Sequence, residues 1–72
     1  MDGYIAIYDG VDWIPHKVKI LNHDPVNDEY LIKYYKRGLP IKVRQPSKYL
    51  SFTVEDCQVF CDYLNRGATL DG

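Results

Sequence analysis

Residues Tyr30–Arg44, YLIKYYKRGLPIKVR, carry the clearest structural signal in this chain of 72 residues. Tyr30, Ile32 and Tyr34 alternate with a second set of side chains, and a similar alternation resumes after Arg37-Gly38. Alternation with a period of two predicts a β-strand, and a short glycine-containing segment between two such runs predicts a hairpin. The stretch therefore predicts two antiparallel strands joined by a tight turn.

The same hairpin region concentrates positive charge in a chain whose formal net charge is −1. No acidic residue falls between Glu29 and Glu55, whereas six basic residues do: Lys33, Lys36, Arg37, Lys42, Arg44 and Lys48. Tyrosines, including Tyr35, lie among these charges. The contrast between the local and the overall charge indicates a binding surface and not a catalytic site.

Length and composition predict one domain over residues 1–72, because a chain of this size leaves no room for a second. With 46% hydrophobic residues it has enough apolar side chains for a core. The sequence has neither a signal-peptide pattern nor an apolar run of the roughly 18 residues that a membrane span needs. We therefore expect an intracellular protein, cytoplasmic or nuclear. A chain this short that starts at its own Met1 also fits a small viral or phage product.

Three further strands and one helical turn are predicted outside the hairpin. The strands are Gly3–Tyr8, Trp13–Leu21 and Leu50–Thr53, the polar loop is Asn22–Glu29, and the turn is Gln45–Tyr49. In the second strand Ile14, His16, Val18 and Ile20 share the face expected to meet the core, which leaves Lys17 and Lys19 toward water.

The last element changes period and predicts a helix over residues 54–66, with Thr53 as its N-cap. Its predicted apolar face consists of Val54, Cys57, Phe60, Cys61 and Leu64. Val59 and Tyr63 lie four residues apart on the other side, where they predict a contact in a homodimer or with a second partner. The final residues 68–72 are expected to fray.

Residues 4–54 resemble a Tudor domain of the Src-homology-3-like barrel class. The resemblance is carried by Ala6-Ile7-Tyr8, Asp9-Gly10, Trp13-Ile14-Pro15-His16-Lys17-Val18, Tyr30-Leu31-Ile32-Lys33-Tyr34-Tyr35, Gly38 and Pro46-Ser47-Lys48-Tyr49-Leu50. It implies a mainly β protein in which residues 3–53 form a five-stranded barrel. The C-terminal helix predicted over residues 54–66 lies outside the resemblance.

Tudor domains that read methylated lysine or arginine hold the cation among aromatic rings. The resemblance places Tyr8 and Tyr34 at such cage positions, and Trp13 could replace the usual aromatic at Ile14. Arg37 and Leu39 depart from the pattern, and a cation at the mouth of the cage would repel a cationic ligand.

Three functions remain open, all of them non-enzymatic. The first is docking on an acidic or extended surface of a protein partner, as an adaptor or a small inhibitor. The second is binding of nucleic acid, with basic side chains on phosphates and tyrosines stacked on bases. The third is methyl-mark reading. No catalytic grouping appears at motif spacing, and no metal or cofactor is expected, since Cys57 and Cys61 fall on the apolar face of the helix.

Overall fold

The computed structural model describes residues 1–67, so the fraying expected for residues 68–72 lies outside it. The elements are β1 (Asp2–Tyr8), β2 (Trp13–Asp24), β3 (Glu29–Lys36), β4 (Leu39–Pro46), a 3₁₀-helix (Ser47–Tyr49) and α1 (Val54–Asn65). The strands form a single antiparallel sheet in the order β1-β2-β3-β4. The protein is therefore mainly β, with one helix after the sheet.

The predicted hairpin is confirmed as β3 and β4. Lys36 pairs with Leu39 on either side of Arg37 and Gly38, whose φ angles are 53° and 80°. Two successive residues with left-handed backbone conformation form a tight turn whose twist matches that of the two antiparallel strands it joins. Glycine adopts this conformation without steric cost, and that explains Gly38.

The sheet is not closed into a barrel, so the five-stranded barrel expected from the resemblance is wrong. Instead of a fifth strand over Leu50–Thr53, only Ser51 pairs, with Tyr4 of β1, through backbone N···O distances of 2.8 and 2.9 Å. The 3₁₀-helix ends at Tyr49 and Thr53 already caps α1. Three residues lie between these elements, and the pairing of one of them with β1 leaves the sheet open.

The second strand is longer than predicted, because β2 continues through Asn22 to Asp24. Its register with β3 shifts at Leu21, where Ile20 pairs with Ile32 but Asn22 pairs with Leu31. A bulge of this kind lets one extra residue enter a strand without ending the pairing. The loop predicted over Asn22–Glu29 is accordingly shorter.

The core lies on one face of the sheet. Ile5, Val18 and Ile32 are buried there, and Leu50 packs against them after the chain leaves β4. Gly3 belongs to this face, and a Cβ atom at its position would lie 3.0 Å from Cδ1 of Leu50. The close approach of Leu50 therefore favours glycine at position 3.

The helix packs on β1 and β2. Cys57, Cys61 and Leu64 are buried, as predicted, and the Oγ1 atom of Thr53 accepts a hydrogen bond from the Asp56 amide at 3.1 Å. Val54 is 43% exposed, so its assignment to the apolar face is wrong and that face starts at Cys57. Phe60 is half-buried, with its ring 6.1 Å from that of Tyr49. Within residues 1–67, no helix has the length and apolar character needed to span a membrane.

Candidate binding face

The sheet face opposite the core carries a row of lysines. Lys19 of β2 is directly opposite Lys33 of β3, and Lys33 is directly opposite Lys42 of β4. We call these three residues the lysine row. Because side chains alternate along each strand, Lys17, Tyr35 and Arg44 lie on the same face. We call these six residues together the basic face.

The lysine row is unfavourable for the isolated fold. Directly opposite side chains on antiparallel strands have Cβ atoms about 4.5–5.5 Å apart, and like charges at that distance destabilise the sheet. Among residues 1–67, no carboxylate forms an ion pair with a member of the row. Asp2 is opposite Lys19, but its carboxylate lies 3.4 Å from Nζ of Lys17. The Nζ atom of Lys33 lies 5.4 Å from the ring centre of Tyr35.

Acidic side chains occupy the other end of this sheet face. Asp24 of β2 is opposite Glu29 of β3, next to the pair formed by Leu31 and Arg44. The pKa of Asp24 is lowered, chiefly by a hydrogen bond from the Asn27 side chain, with the positive charge of Arg44 as a smaller cause. The carboxylates of Asp24 and Glu29 thus lie near Arg44 at one end of this face. The lysine row lies toward the other end, where Asp2 is the neighbouring carboxylate.

A groove lies between β2 and β3 beside the lysine row. Among the described residues, the register of β2 with β3 ends at Lys19 and Lys33, although both strands continue beyond that pair. The groove has a volume of about 410 Å³. It is lined by Asp2, His16, Lys17, Val18, Lys19, Lys33, Tyr34 and Tyr35. Three of the lining side chains are lysines, and one of these, Lys17, is paired with the Asp2 carboxylate.

The structure separates the predicted basic residues into groups. Lys33, Tyr35, Lys42 and Arg44 share the basic face, whereas Lys36 and Arg37 lie at the hairpin turn. Lys48 lies in the 3₁₀-helix, with Nζ 5.0 Å from the ring centre of Tyr49.

Lys17 and Lys19 belong to the basic face but were absent from the predicted site. The alternation in β2 already placed both toward water. Only the register shows that they lie beside Lys33.

The three rings of the predicted aromatic cage do not come together. Tyr8 and Trp13 are paired across β1 and β2, with ring centres 5.6 Å apart. The ring of Tyr34 instead contacts His16, at 5.4 Å, and packs against the core on the opposite face of the sheet. Strand parity explains the failure, since Tyr8 alternates with the core residues Ile5 and Ile7 whereas Tyr34 is in phase with Ile32.

The other predicted contacts lie on the helix. Val59 and Tyr63 are exposed, by 67% and 45% respectively. Cys57 and Cys61 are buried free thiols, and burial, followed by the neighbouring Cys61, raises the pKa of Cys57 to about 12. Within the part of the chain that the structure describes, no three His, Cys, Asp or Glu side chains are grouped to hold a metal ion.

Comparison with known proteins adds no assignment to this geometry. The sequence matches no protein family, no curated protein and no solved structure. The candidate site is therefore defined by its own charges and contacts.

Proposed function

We propose that this protein is a non-enzymatic interaction module that binds an acidic surface of a protein partner through the basic face. The lysine row is the observation that supports this proposal. Three mutually repelling cations lie side by side without a carboxylate partner among residues 1–67. A ligand with several carboxylates would relieve that repulsion on binding, so the electrostatic cost in the free protein becomes a gain in the complex.

Nucleic acid is the second candidate, and Tyr35 is the residue that favours it. Its side chain is 58% exposed on the basic face and could stack on an unpaired base beside Lys33. The carboxylates of Asp2, Asp24 and Glu29 lie on the same sheet face and would repel a phosphate chain that extends along the strands. An acidic protein surface of limited extent can contact the lysine row without reaching Asp24 and Glu29, and it therefore fits this face better.

Neither candidate function requires that this protein be related to Tudor domains. The support for that relationship comes from the motifs of residues 4–54 and from nothing else. Methyl-mark reading would need a ring arrangement other than the one expected, because Tyr8 and Trp13 lie on the face opposite to Tyr34.

Binding of an oligo-glutamate peptide and of a single-stranded DNA oligonucleotide would test the proposal. Lys33→Gln should weaken binding of the peptide about fivefold, as expected for one charge that contacts a multivalent anion. Lys48→Gln is the matched control, because it removes the same charge outside the basic face and should have little effect.

The two candidates are separated by which probe binds and by the effect of salt. A preference for the oligonucleotide, with affinity that falls steeply between about 50 and 200 mM salt, would favour nucleic acid. Equal effects of Lys33→Gln and Lys48→Gln on both probes would contradict a role for the basic face.

A further inference from the structure

The free edge of β4 has a second set of binding groups. Among the described residues β4 pairs only with β3, and it is the last strand in the sheet order. The edge of β1, at the other side of the sheet, is partly covered by the pairing of Tyr4 with Ser51. A strand at the edge of a sheet leaves every second backbone N–H and C=O group without a ladder partner.

The phase of the hydrogen bonds shows which groups face outward. Lys36 and Leu39 flank a two-residue turn, so they form a hydrogen-bonded pair. At the other end of the hairpin, the Ser47 amide donates to the Asp28 carbonyl at 3.0 Å. Hydrogen-bonded and non-hydrogen-bonded pairs alternate along an antiparallel ladder. The two ends of the hairpin therefore give the same assignment of the β4 residues that bond to β3. Ile41, Val43 and Gln45 then bond to β3, and the residues between them point their backbone groups outward.

The outward positions are Pro40, Lys42, Arg44 and Pro46. Proline has no N–H group, so Lys42 and Arg44 provide the only outward donors of β4. Prolines at outward positions of an edge strand also limit unspecific pairing with other chains. Only a short central segment of this edge can therefore donate backbone hydrogen bonds to another strand. Its two N–H groups belong to the cationic residues Lys42 and Arg44.

We infer that this segment of β4 receives an extended acidic segment of the partner as an added strand. The inference rests on the proposed function and specifies how the partner is held. Strand addition obtains affinity from main-chain hydrogen bonds and specificity from alternate side chains. On one face the added strand would lie beside Lys42 and Arg44, and on the other beside the half-buried Ile41 and Val43. The fitting segment therefore alternates acidic and apolar residues.

Charge selects this occupant over a second copy of the chain. Antiparallel pairing of β4 with its own copy would bring Lys42 and Arg44 close to the same residues of the other molecule, and like charges across strands are unfavourable. An acidic strand reverses the sign of that interaction. The occupant is therefore a different polypeptide.

A peptide of alternating valine and glutamate, about eight residues long like β4, is the probe. A block peptide with all valines followed by all glutamates has the same composition but cannot place every carboxylate on one face. Lys42→Ala removes one charge and keeps the outward N–H, whereas Lys42→Pro removes both. Proline at position 42 has the same phase as Pro40 and Pro46, and circular dichroism and thermal unfolding confirm that each variant is folded.

Strand addition predicts that the alternating peptide binds more tightly than the block peptide. Lys42→Pro should bind it at least about fivefold more weakly than Lys42→Ala, because a main-chain hydrogen bond and the close approach of the strand are lost. In the wild-type protein, the amides of Lys42 and Arg44 should exchange more slowly with solvent when the peptide is present.

Equal affinities of Lys42→Pro and Lys42→Ala, equal binding of the two peptides, or unchanged exchange at Lys42 and Arg44 would each overturn strand addition. These results would leave the proposed function intact if Lys33→Gln still weakens binding of oligo-glutamate. Loss of the Lys33→Gln effect as well would overturn both.

Discussion

The side chain of Asn65 forms two hydrogen bonds with the backbone of Trp13. Its Oδ1 atom accepts from the Trp13 amide at 2.7 Å, and its Nδ2 atom donates to the Trp13 carbonyl at 3.0 Å. The side-chain amide thereby takes the place of a neighbouring strand at the start of β2. These hydrogen bonds join the last residue of α1 to the first residue of β2, although the two residues are 52 positions apart in the sequence.

Asn65→Ala should lower the free energy of unfolding by about 1–2 kcal/mol, because two hydrogen bonds to backbone groups are lost. Asn65→Asp should be at least as harmful, since it replaces a donor to the Trp13 carbonyl by a second acceptor. Gln58→Ala is the matched control, because the side-chain hydrogen bond of Gln58 lies within the helix, to Asp62 at 2.9 Å. Urea unfolding measures the differences, and equal losses for Asn65→Ala and Gln58→Ala would contradict the role given to Asn65.

Lys33→Glu should stabilise the protein by about 1 kcal/mol at low salt, because two repulsive cross-strand pairs become attractive. The gain should shrink in high salt, where surface charges are screened. Lys36→Glu is the control, since the residue directly opposite Lys36 on β4 is Leu39 and not a lysine. Thermal unfolding at two salt concentrations checks this. If Lys33→Glu unfolded at a lower temperature than wild type, the lysine row would not be destabilising.

The stability of the protein should fall as pH rises above 9. Burial raises the pKa of Cys57 to about 12 from an ordinary value of 9.0, so the folded thiol keeps its proton while the unfolded thiol loses it. Above pH 9 the unfolded chain binds fewer protons, and the free energy of unfolding decreases by about 1 kcal/mol between pH 8 and 10 from this thiol alone. Cys57→Ala, compared with wild type at each pH, should lack this component. Parallel pH profiles would contradict it.

Because Val59 and Tyr63 are exposed on the outer face of α1, we predict that the protein self-associates through this face. If these side chains form a dimer contact, wild-type protein should sediment as a dimer at high concentration and the double variant Val59→Lys, Tyr63→Glu as a monomer. Gln58→Lys tests whether an added charge elsewhere on the exposed helix surface has the same effect. Monomeric behaviour of wild type and variant alike would exclude the dimer and leave a contact with a second partner or two tolerated surface side chains.

Features of the fold that depend on residues close together in the sequence could be predicted from the sequence. The hairpin over Tyr30–Arg44 follows from period-two alternation around Arg37-Gly38, and the helix start follows from a threonine before a helical repeat. Each signal is complete within a few residues, since turn geometry and helix capping are local. The charge contrast around the hairpin is likewise readable from the sequence, and it picked out Lys33, Tyr35, Lys42 and Arg44, which the strand register places on one face.

The relations between strands depend on contacts between distant parts of the chain and could not be predicted in this way. Alternation assigns each residue to one of two faces, but only the register shows which faces of different strands coincide. For this reason Lys19 joins Lys33 and Lys42, whereas Tyr8 and Tyr34 lie on opposite faces and form no cage. Closure of the sheet likewise depends on how far the chain reaches after β4, and the single pairing of Ser51 with Tyr4 leaves it open. Such contacts join residues far apart in sequence, and their geometry arises only when all four strands pack on the same core.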